Sequence, residues 1–385
     1  MLEIVERIKR LTFQKVLRKG KRFLKKNVVM FVALVAAIIT CFFVPPDREY
    51  MSYFDTKTLA CLFVTLAVVC ALRNIKFFTI LARKLVLITG NLRSLFIMLV
   101  CITFIGSLLI ANDMALITFL PLGYFALSVT RKEKYMAYLF ILQNISANLG
   151  GMLTPFGNPQ NLYLYSFYNI PTGEFCSIML PPFLLAISML LLCCMLVKPK
   201  PLSIKEQFQE KLSIKRTVLY LVLFAVSLLV VFRVVPVLWG LLGITAVLIV
   251  ADRDAIRMVD YPLLLTFAFF FVFSGNLARI DFISEMFSSL LEKDTLLVSI
   301  LSCQFISNVP TAILLSQFTA DYHSLLLGVN IGGTGTLISS LASLITFSEF
   351  KVLYPDKTKK YLVMFTVMNV VFLVVMTVCA KLFFV

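Results

Sequence analysis

Long apolar runs separated by short charged segments dominate the pattern along the chain. Four of these runs, 28–44, 178–197, 217–232 and 361–384, reach or approach the roughly 20 residues that a helix needs to cross a bilayer. The runs are continuous, whereas an outer-membrane barrel is built from alternating strands of about ten residues. The pattern therefore predicts an all-α polytopic integral membrane protein.

The apolar segments form two series with the same order of elements. The predicted divisions are a basic amphipathic segment at 1–27, a first repeat at 28–197, a cytoplasmic loop with a linking transmembrane helix at 198–234, and a second repeat at 235–385. Each repeat contains two apolar arms joined at a polar tip, which predicts re-entrant hairpins at 94–129 and 295–320. Each also contains an apolar stretch rich in Gly, Pro and Asn, which predicts discontinuous helices at 135–168 and 325–345.

Matching residues in the two discontinuous helices support a duplication. At a constant offset of 182, five residues recur, namely Asn148, Gly150, Gly151, Thr154 and Leu162 as Asn330, Gly332, Gly333, Thr336 and Leu344. The linking helix reverses the orientation of the second series, so its basic residues fall on the opposite side. Together these features predict two inverted-topology repeats.

Basic residues are distributed unevenly between the predicted loops. The 385 residues are 60% hydrophobic and carry a net charge of +16. If the N-terminus is cytoplasmic and the segments alternate, the inner loops hold 30 of the 36 Lys and Arg residues. In a membrane protein such an excess marks the cytoplasmic side. We therefore expect a multi-pass protein of the cell membrane with a cytoplasmic N-terminus, and the charge does not indicate a nucleic-acid partner.

The interrupted helices are the expected site of chemistry. Unpaired backbone groups in hydrocarbon cost several kcal/mol each, so four breaks at membrane depth should face one another or a wet cavity. Helix N-termini there would attract an anion, and carbonyl or hydroxyl oxygens would suit a small cation. The candidate substrate- and ion-binding residues are Asn112, Asp113, Asn148, Gly150, Gly151, Thr154, Pro155, Gly157, Asn158, Pro159, Ser307, Asn308, Thr311, Asn330, Gly332, Gly333, Thr334, Gly335 and Thr336.

Asp113 is the one carboxylate of 20 that the predicted topology leaves at membrane depth. A charge inside the membrane is costly and marks a functional site by default. Asp113 would ligate Na⁺ or carry a proton. The simpler alternative is that it caps the helix that begins at the hairpin tip.

Four stretches resemble the ion transporter superfamily, which includes divalent-anion/sodium symporters, citrate transporters, arsenite permeases and some Na⁺/H⁺ antiporters. They are Ala-Asn-Asp-Met-Ala-Leu-Ile-Thr-Phe-Leu-Pro (111–121), Asn-Leu-Gly-Gly-Met-Leu-Thr-Pro-Phe-Gly-Asn-Pro-Gln-Asn-Leu (148–162), Ser-Asn-Val-Pro-Thr-Ala (307–312) and Gly-Gly-Thr-Gly-Thr-Leu-Ile (332–338). The second stretch is similar to the bacterial anion-permease, citrate-transporter-like branch. The resemblance implies a substrate between two hairpin tips, cation sites beside each tip, and a homodimer with elevator-type motion.

The two tips depart from the pattern of the dicarboxylate members, which carry Ser-Asn-Thr at both. Here the tips are Ala111–Asp113 and Ser307–Val309, so only the asparagine is shared. The Asn-Asp tip is more similar to arsenite permeases, for which proton coupling is the expectation. No cofactor is implied other than Na⁺ as a coupling ion, near Asn112, Asp113 and Asn308.

The leading interpretation is a secondary active transporter for a small anion or oxyacid (carboxylate, sulfate-like or arsenite-like), coupled to H⁺ or Na⁺. The alternative within the superfamily is a Na⁺/H⁺ antiporter in which Asp113 binds the transported cation. Besides the substrate, the expected partners are membrane lipid and a second copy of the chain. An intramembrane hydrolase is disfavoured because the single histidine, His323, lies in a predicted outer loop.

Overall fold

The computed structural model describes residues 27–202 and 212–384. Residues 1–26 of the predicted basic segment and residues 203–211 of the predicted cytoplasmic loop lie outside these residues. The helices in chain order are α1 (Val28–Phe43), α2 (Tyr50–Tyr53), α3 (Thr56–Asn74), α4 (Phe77–Leu87), α5 (Leu92–Leu109), α6 (Asn112–Val129), α7 (Met136–Gly150), α8 (Pro159–Phe167), α9 (Thr172–Met195), α10 (Ile214–Val231), α11 (Val237–Ala251), α12 (Arg253–Arg257), α13 (Tyr261–Ala278), α14 (Asp281–Ile306), α15 (Asn308–Leu315), α16 (Tyr322–Ile331), α17 (Leu341–Leu353) and α18 (Thr358–Cys379).

Seven helical segments of the described chain are long and apolar enough to cross a membrane. They are α3, α5, α6, α9, α10, α13 and the segment Pro355–Phe384, which contains α18. Two shorter apolar helices, α1 and α11, add to them. The helical architecture and these spans confirm the predicted class, an all-α polytopic membrane protein.

The second predicted hairpin is too short to consist of two crossings. Helix α14 is kinked at Asp294, and α15 has eight residues. Eight residues rise by about 12 Å, against a hydrocarbon core of roughly 30 Å. The arms of the first hairpin, α5 and α6, have 18 residues each and are long enough by themselves to cross, so its re-entrant form stays a prediction.

Both discontinuous helices are interrupted near their middle. The first runs through α7, a short 3-10 turn at Gly151–Leu153, a non-helical segment, and α8. The second runs through α16, a non-helical segment at 332–340, and α17. Its helical ends lie outside the predicted limits of 325–345, because Glu349 and Lys351 occupy exposed positions at the end of α17. Those charges suggested a loop in the sequence but are solvated on a helix.

The chain forms two compact units, and one of them contains both hairpin tips and both discontinuous helices. This unit comprises Asp55–Val259 and Glu285–Val385. At its centre, every residue of α7 from Leu139 to Gly150 is buried, including Gln143, Asn144 and Asn148. A helix that is buried on all sides with several amides requires internal hydrogen-bond partners for them.

The other unit comprises Met1–Phe54 and Asp260–Ser284, of which the structure describes residues 27–54 and 260–284. The buried Asn276 amide donates to Thr40 Oγ1 at 3.1 Å and to the Tyr50 hydroxyl at 2.9 Å. At the end of α13, the Arg279 guanidinium donates to Asp47 at 2.7 Å. This hydrogen bond and the charge of Arg279 hold the pKa of the Asp47 carboxyl below its usual range.

Two hydrogen bonds join helix ends that the sequence assigns to the same side of the membrane. On the predicted inner side, the Arg93 guanidinium donates to the Val197 carbonyl at 2.8 Å. On the predicted outer side, the Tyr322 hydroxyl donates to Glu174 at 2.6 Å. Which of the two sides is cytoplasmic stays a prediction.

Candidate functional site

The tip of the first hairpin is fastened to the first discontinuous helix by its asparagine. Helix α5 ends at Leu109 and α6 begins at Asn112. The Asn112 Oδ1 atom accepts from the backbone N–H of Asp113 at 3.0 Å, and its Nδ2 donates to Asn148 Oδ1 at 3.2 Å. The Asp113 residue itself is half-buried in the first turn of α6.

The tip of the second hairpin is built in the same way. The Asn308 Oδ1 atom accepts from the backbone N–H of Val309 at 2.9 Å. The Asn308 N–H and the Ser307 hydroxyl both point to the Ser339 carbonyl, at 3.0 and 3.3 Å. Ser307 has a φ of 74°, so the chain turns sharply at this tip as it does between α5 and α6. The two tip asparagines therefore play the same local role.

The matched threonines of the two repeats make equivalent hydrogen bonds. The Thr154 hydroxyl donates to the Leu108 carbonyl at 3.0 Å, and the Thr336 hydroxyl donates to the Gln304 carbonyl at 3.0 Å. Leu108 and Gln304 each lie four residues before the tip asparagine. Each non-helical segment is thus attached at the same point of its own hairpin.

The matched glycines allow each discontinuous helix to approach the first arm of its hairpin. A Cβ atom on Gly150 would lie 2.3 Å from the Phe104 carbonyl oxygen of α5. A Cβ atom on Gly332 would lie 2.8 Å from Cys303 Cβ of α14. Neither separation is compatible with a side chain, so both glycines are required by close packing.

A chain of buried amides joins the two discontinuous helices where they meet. The Asn161 Nδ2 group donates to the carbonyls of Gly151, Met152 and Thr154, at 3.2, 3.2 and 3.4 Å. Its Oδ1 atom accepts from Asn330 Nδ2 at 2.6 Å. The carbonyls of the first non-helical segment therefore determine how Asn161 is oriented, and Asn161 in turn determines how Asn330 is oriented.

This orientation leaves unpaired polar atoms at the crossing. Asn330 Oδ1 faces the amide nitrogens of Asn158 and Gln160, at 3.4 and 3.5 Å. The oxygens of these two amides, and the Nδ2 group of Asn148, have no hydrogen-bond partner among the described residues. All three side chains are at most 2% exposed. Buried polar atoms are nearly always paired in native proteins, so these three atoms are candidates for hydrogen bonds with a bound molecule or with water.

Four helix N-termini lie at these breaks, those of α6, α8, α15 and α17. Each carries the positive end of a helix dipole, although at α15 the N–H groups of Asn308 and Val309 are already bonded to the Ser339 carbonyl and to Asn308 Oδ1. A small pocket beside the first tip is largely apolar. Apart from Thr65, its lining residues are apolar, among them Leu62, Leu109, Ala111, Phe156 and Phe224. Polar recognition is therefore concentrated in the amides and backbone groups of the breaks.

The structure brings most of the sequence-predicted residues together. Two of them, Thr311 and Thr334, have hydroxyl groups that are already used in local hydrogen bonds. The Thr311 hydroxyl donates to the Ser307 carbonyl and the Thr334 hydroxyl to the Ile331 carbonyl, so both are used within their own backbone segments. Pro155, Gly157 and Pro159 shape the first non-helical segment and α8, and Gly335 shapes the second with a φ of 113°.

Sequence analysis missed four polar residues of the site. They are Gln160, Asn161, Gln304 and Ser339. Gln160 and Asn161 could have been identified from the sequence, because they directly follow Pro159 in the stretch 148–162 that most specifically resembles the family. Gln304 and Ser339 stand alone in apolar or small-residue surroundings, and only the fold shows their contacts.

Two interrupted helices joined by buried amides, within a unit of long apolar helices, are the architecture of a polytopic membrane protein. The comparisons with known proteins agree with this class. The citrate transporter family model matches residues 13–324. The chain therefore belongs to the citrate transporter family, and it is a membrane transporter.

Several curated proteins are similar to the chain. An uncharacterized transporter of Methanocaldococcus jannaschii is 33% identical over 367 residues, which cover 93% of this chain and 98% of that protein. The inner membrane protein YbiR of Escherichia coli is 28% identical over 85% of this chain and 87% of its own length. A silicon efflux transporter of Oryza sativa subsp. japonica is 33% identical over 168 residues, 42% of this chain and 34% of that protein.

Proposed function

We propose that the protein is a secondary active transporter that moves a small anion or oxyacid across the cell membrane, coupled to H⁺ or Na⁺. The cargo is held between the two hairpin tips and the two non-helical segments, by the candidate residues named above together with Gln160. The body that carries these elements moves by an elevator-type alternating-access mechanism. The protein is a homodimer with a cytoplasmic N-terminus.

The unpaired atoms at the crossing are the observation that carries this proposal. One unpaired donor, Asn148 Nδ2, and two unpaired acceptors, Asn158 Oδ1 and Gln160 Oε1, belong to residues of the same crossing, where Asn158 Nδ2 donates to the Asn148 carbonyl at 3.3 Å. A fully ionised anion would satisfy the donor and be repelled by the acceptor oxygens. A hydroxyl-bearing oxyacid satisfies both kinds of atom. The name of the Oryza relative, a silicon efflux transporter, is in line with a hydroxylated cargo.

Flux into proteoliposomes tests the proposal. The cargo panel contains citrate, succinate, sulfate, arsenite and silicic acid, each assayed under an imposed pH gradient or Na⁺ gradient. Asn112→Ala and Asn308→Ala should each abolish flux, because each removes the amide that fastens a tip. Asn369→Ala is the matched control, since this buried amide donates only to the Phe365 carbonyl of its own helix and should leave flux near the wild-type rate. Normal flux in both tip variants would contradict the placement of the site.

A carboxylate at the first tip favours one second candidate, a Na⁺/H⁺ antiporter in which Asp113 binds the transported cation. Cation flux that proceeds equally with and without any anion or oxyacid supports this alternative. In the leading proposal Asp113 takes part in coupling. If it carries a proton, Asp113→Asn should uncouple cargo flux from the pH gradient while cargo exchange persists; if it holds Na⁺, the same variant should lose the Na⁺ dependence of flux. Gradient coupling that is unchanged in Asp113→Asn would show that the carboxylate has only a structural role.

A further inference from the structure

Three carbonyl oxygens converge on a side-chain amide nitrogen at each break, and at the second break one of them, that of Ile300, belongs to α14. In the first segment, the nitrogen is Nδ2 of Asn161, with the oxygens of Gly151, Met152 and Thr154 at 3.2 to 3.4 Å. In the second segment, the nitrogen is Nε2 of Gln304. The oxygens around it are those of Ile300 at 3.1 Å, Gly332 at 2.9 Å and Thr334 at 3.2 Å.

An amide NH₂ group has two hydrogens, so it cannot give a separate straight hydrogen bond to each of three acceptors. Several carbonyl oxygens that point to one centre are instead the arrangement that surrounds a small hard cation, which takes its ligands from backbone and side-chain oxygens. At both segments, the centre of this arrangement is already filled by an electropositive amide nitrogen. A cation could not occupy the same point, because it would meet the amide hydrogens.

The tip asparagines give Na⁺ no better ligands. The Oδ1 atoms of Asn112 and Asn308 accept from the backbone N–H groups of the following residues. The amide of Asn112 therefore turns its nitrogen, and not its oxygen, toward the first discontinuous helix. The two tip asparagine oxygens therefore each already accept a hydrogen bond, as do the carbonyls around Asn161 and Gln304.

We infer that the amide groups of Asn161 and Gln304 occupy the positions that a bound cation would otherwise take at the two non-helical segments. The amides orient the carbonyl oxygens there, so both segments keep their conformation without Na⁺. This inference rests on the proposed transport function and makes these two residues positioning residues of the site. It assigns no role to Asp113, whose coupling function is a separate question.

The two amides reach equivalent places from different parts of the fold. Asn161 belongs to α8, the second half of the first discontinuous helix, whereas Gln304 belongs to α14, the first arm of the second hairpin. The second segment also contacts the oxygen of the Gln304 side chain. Gln304 Oε1 accepts from the Thr336 N–H at 2.9 Å. A Cβ atom on Gly335 would lie 2.2 Å from the same Oε1. At the offset of 182 that relates the repeats, one of the three carbonyls is shared, Met152 in the first set and Thr334 in the second, so each break engages its own carbonyls with a different amide.

The first test uses the unmodified protein and does not depend on knowing the cargo. The thermal unfolding midpoint of the purified protein is measured in sodium chloride, potassium chloride and choline chloride of equal ionic strength. The expected midpoint is the same in all three salts. A saturable rise with Na⁺ alone that persists in Asp113→Asn would overturn the inference, because a ligand that binds only the folded state raises the midpoint as its concentration increases. A rise that Asp113→Asn removes assigns the ion to that carboxylate and leaves the two segments without Na⁺, as inferred.

Isosteric acidic variants provide the second test. Asn161→Asp and Gln304→Glu replace the amide nitrogen by an oxygen, which leaves three carbonyls around a carboxylate. Each variant should have a lower midpoint in choline chloride and recover several degrees in sodium chloride. The matched controls are Asn369→Asp and Gln317→Glu, an equally buried asparagine and a half-buried glutamine outside the two segments, and these should show no Na⁺-specific recovery.

The outcomes separate this inference from the proposed function. If Asn161→Asp and Gln304→Glu respond to Na⁺ no more than the controls do, the amides do not occupy cation-like positions and the inference fails, whatever the flux assays show. If instead no member of the cargo panel is transported while the midpoints behave as expected, the proposed function fails and the assignment of the two amides stands.

Discussion

Replacing Gly150 by alanine places a methyl group where α7 touches α5. The added Cβ would lie 2.3 Å from the Phe104 carbonyl oxygen, 2.8 Å from Phe104 Cα and 2.9 Å from the Phe104 carbonyl carbon. All three atoms belong to backbone, so no change of side-chain rotamer can relieve the overlap. The two helices must separate by several tenths of an ångström or more, close to the tip.

The magnitude follows from two opposing effects. Inserting a methyl group into a packed core costs about 1–3 kcal/mol, and a backbone partner places this case at the upper end. Alanine in place of glycine within a helix otherwise contributes about 0.5–1 kcal/mol of stability. The expected net effect is a loss of about 2 kcal/mol in the free energy of unfolding. Flux should fall as well, because the separation stretches the bonds from Asn112 to Asn148 and from Thr154 to Leu108.

Gly243→Ala is the matched control, because a Cβ atom there meets nothing within 4 Å. The two variants are compared by reversible unfolding in mixed micelles and by proteoliposome flux. Gly243→Ala should be as stable as the wild type or slightly more stable, with unchanged flux. Equal stability and equal flux of the two variants would refute the close packing of α5 on α7.

Two further predictions concern sidedness and surface electrostatics. In a background without the nine native cysteines, a cysteine placed at Arg131 should be labelled from the cytoplasm and one at Tyr322 from outside; labelling of both from one face would contradict the inverted arrangement. Arg279→Gln should lower the thermal midpoint at neutral pH. Since Arg279 lowers the pKa of Asp47 from its usual 3.8, this contribution is present above that value and is lost as the pH falls through the lowered pKa. The midpoints of wild type and variant should therefore converge in acid, and a difference that is independent of pH would contradict the pairing.

The positions of the breaks could be predicted from the sequence because glycine, proline and asparagine interrupt apolar helices for local reasons. Proline removes a backbone donor, and the residues around Asn158 and Pro159 cannot continue a helix. The prediction placed the first tip at 111–113, where the structure has the junction between α5 and α6. Such signals are local, and they need no knowledge of the fold.

The hydrogen bonds of the crossing could not be predicted, because they join residues that are far apart in the chain. Asn330 bonds Asn161 across 169 positions. Whether the oxygen or the nitrogen of a side-chain amide lacks a hydrogen-bond partner cannot be predicted from the sequence, because it depends on all partners in the network at once. Gln304 was missed for a related reason: one glutamine in an apolar arm has no pattern that marks it, and its partners lie about 30 positions further on.

The comparison of the two tips bears on the role of Asp113. The residue after the tip asparagine is Asp113 in the first repeat and Val309 in the second, and each backbone N–H is satisfied by the asparagine Oδ1, at 3.0 and 2.9 Å. The second repeat thus builds the same tip and begins the same kind of helix without a carboxylate. Capping by Asp113 is therefore not what the tip geometry requires. If the first tip lies at membrane depth, as the sequence predicts, a charge at one tip alone is better explained by a task that only one of the two predicted repeats performs. In the proposed transporter, proton coupling at a single site is such a task, whereas the proposed cargo site uses the features that both repeats share.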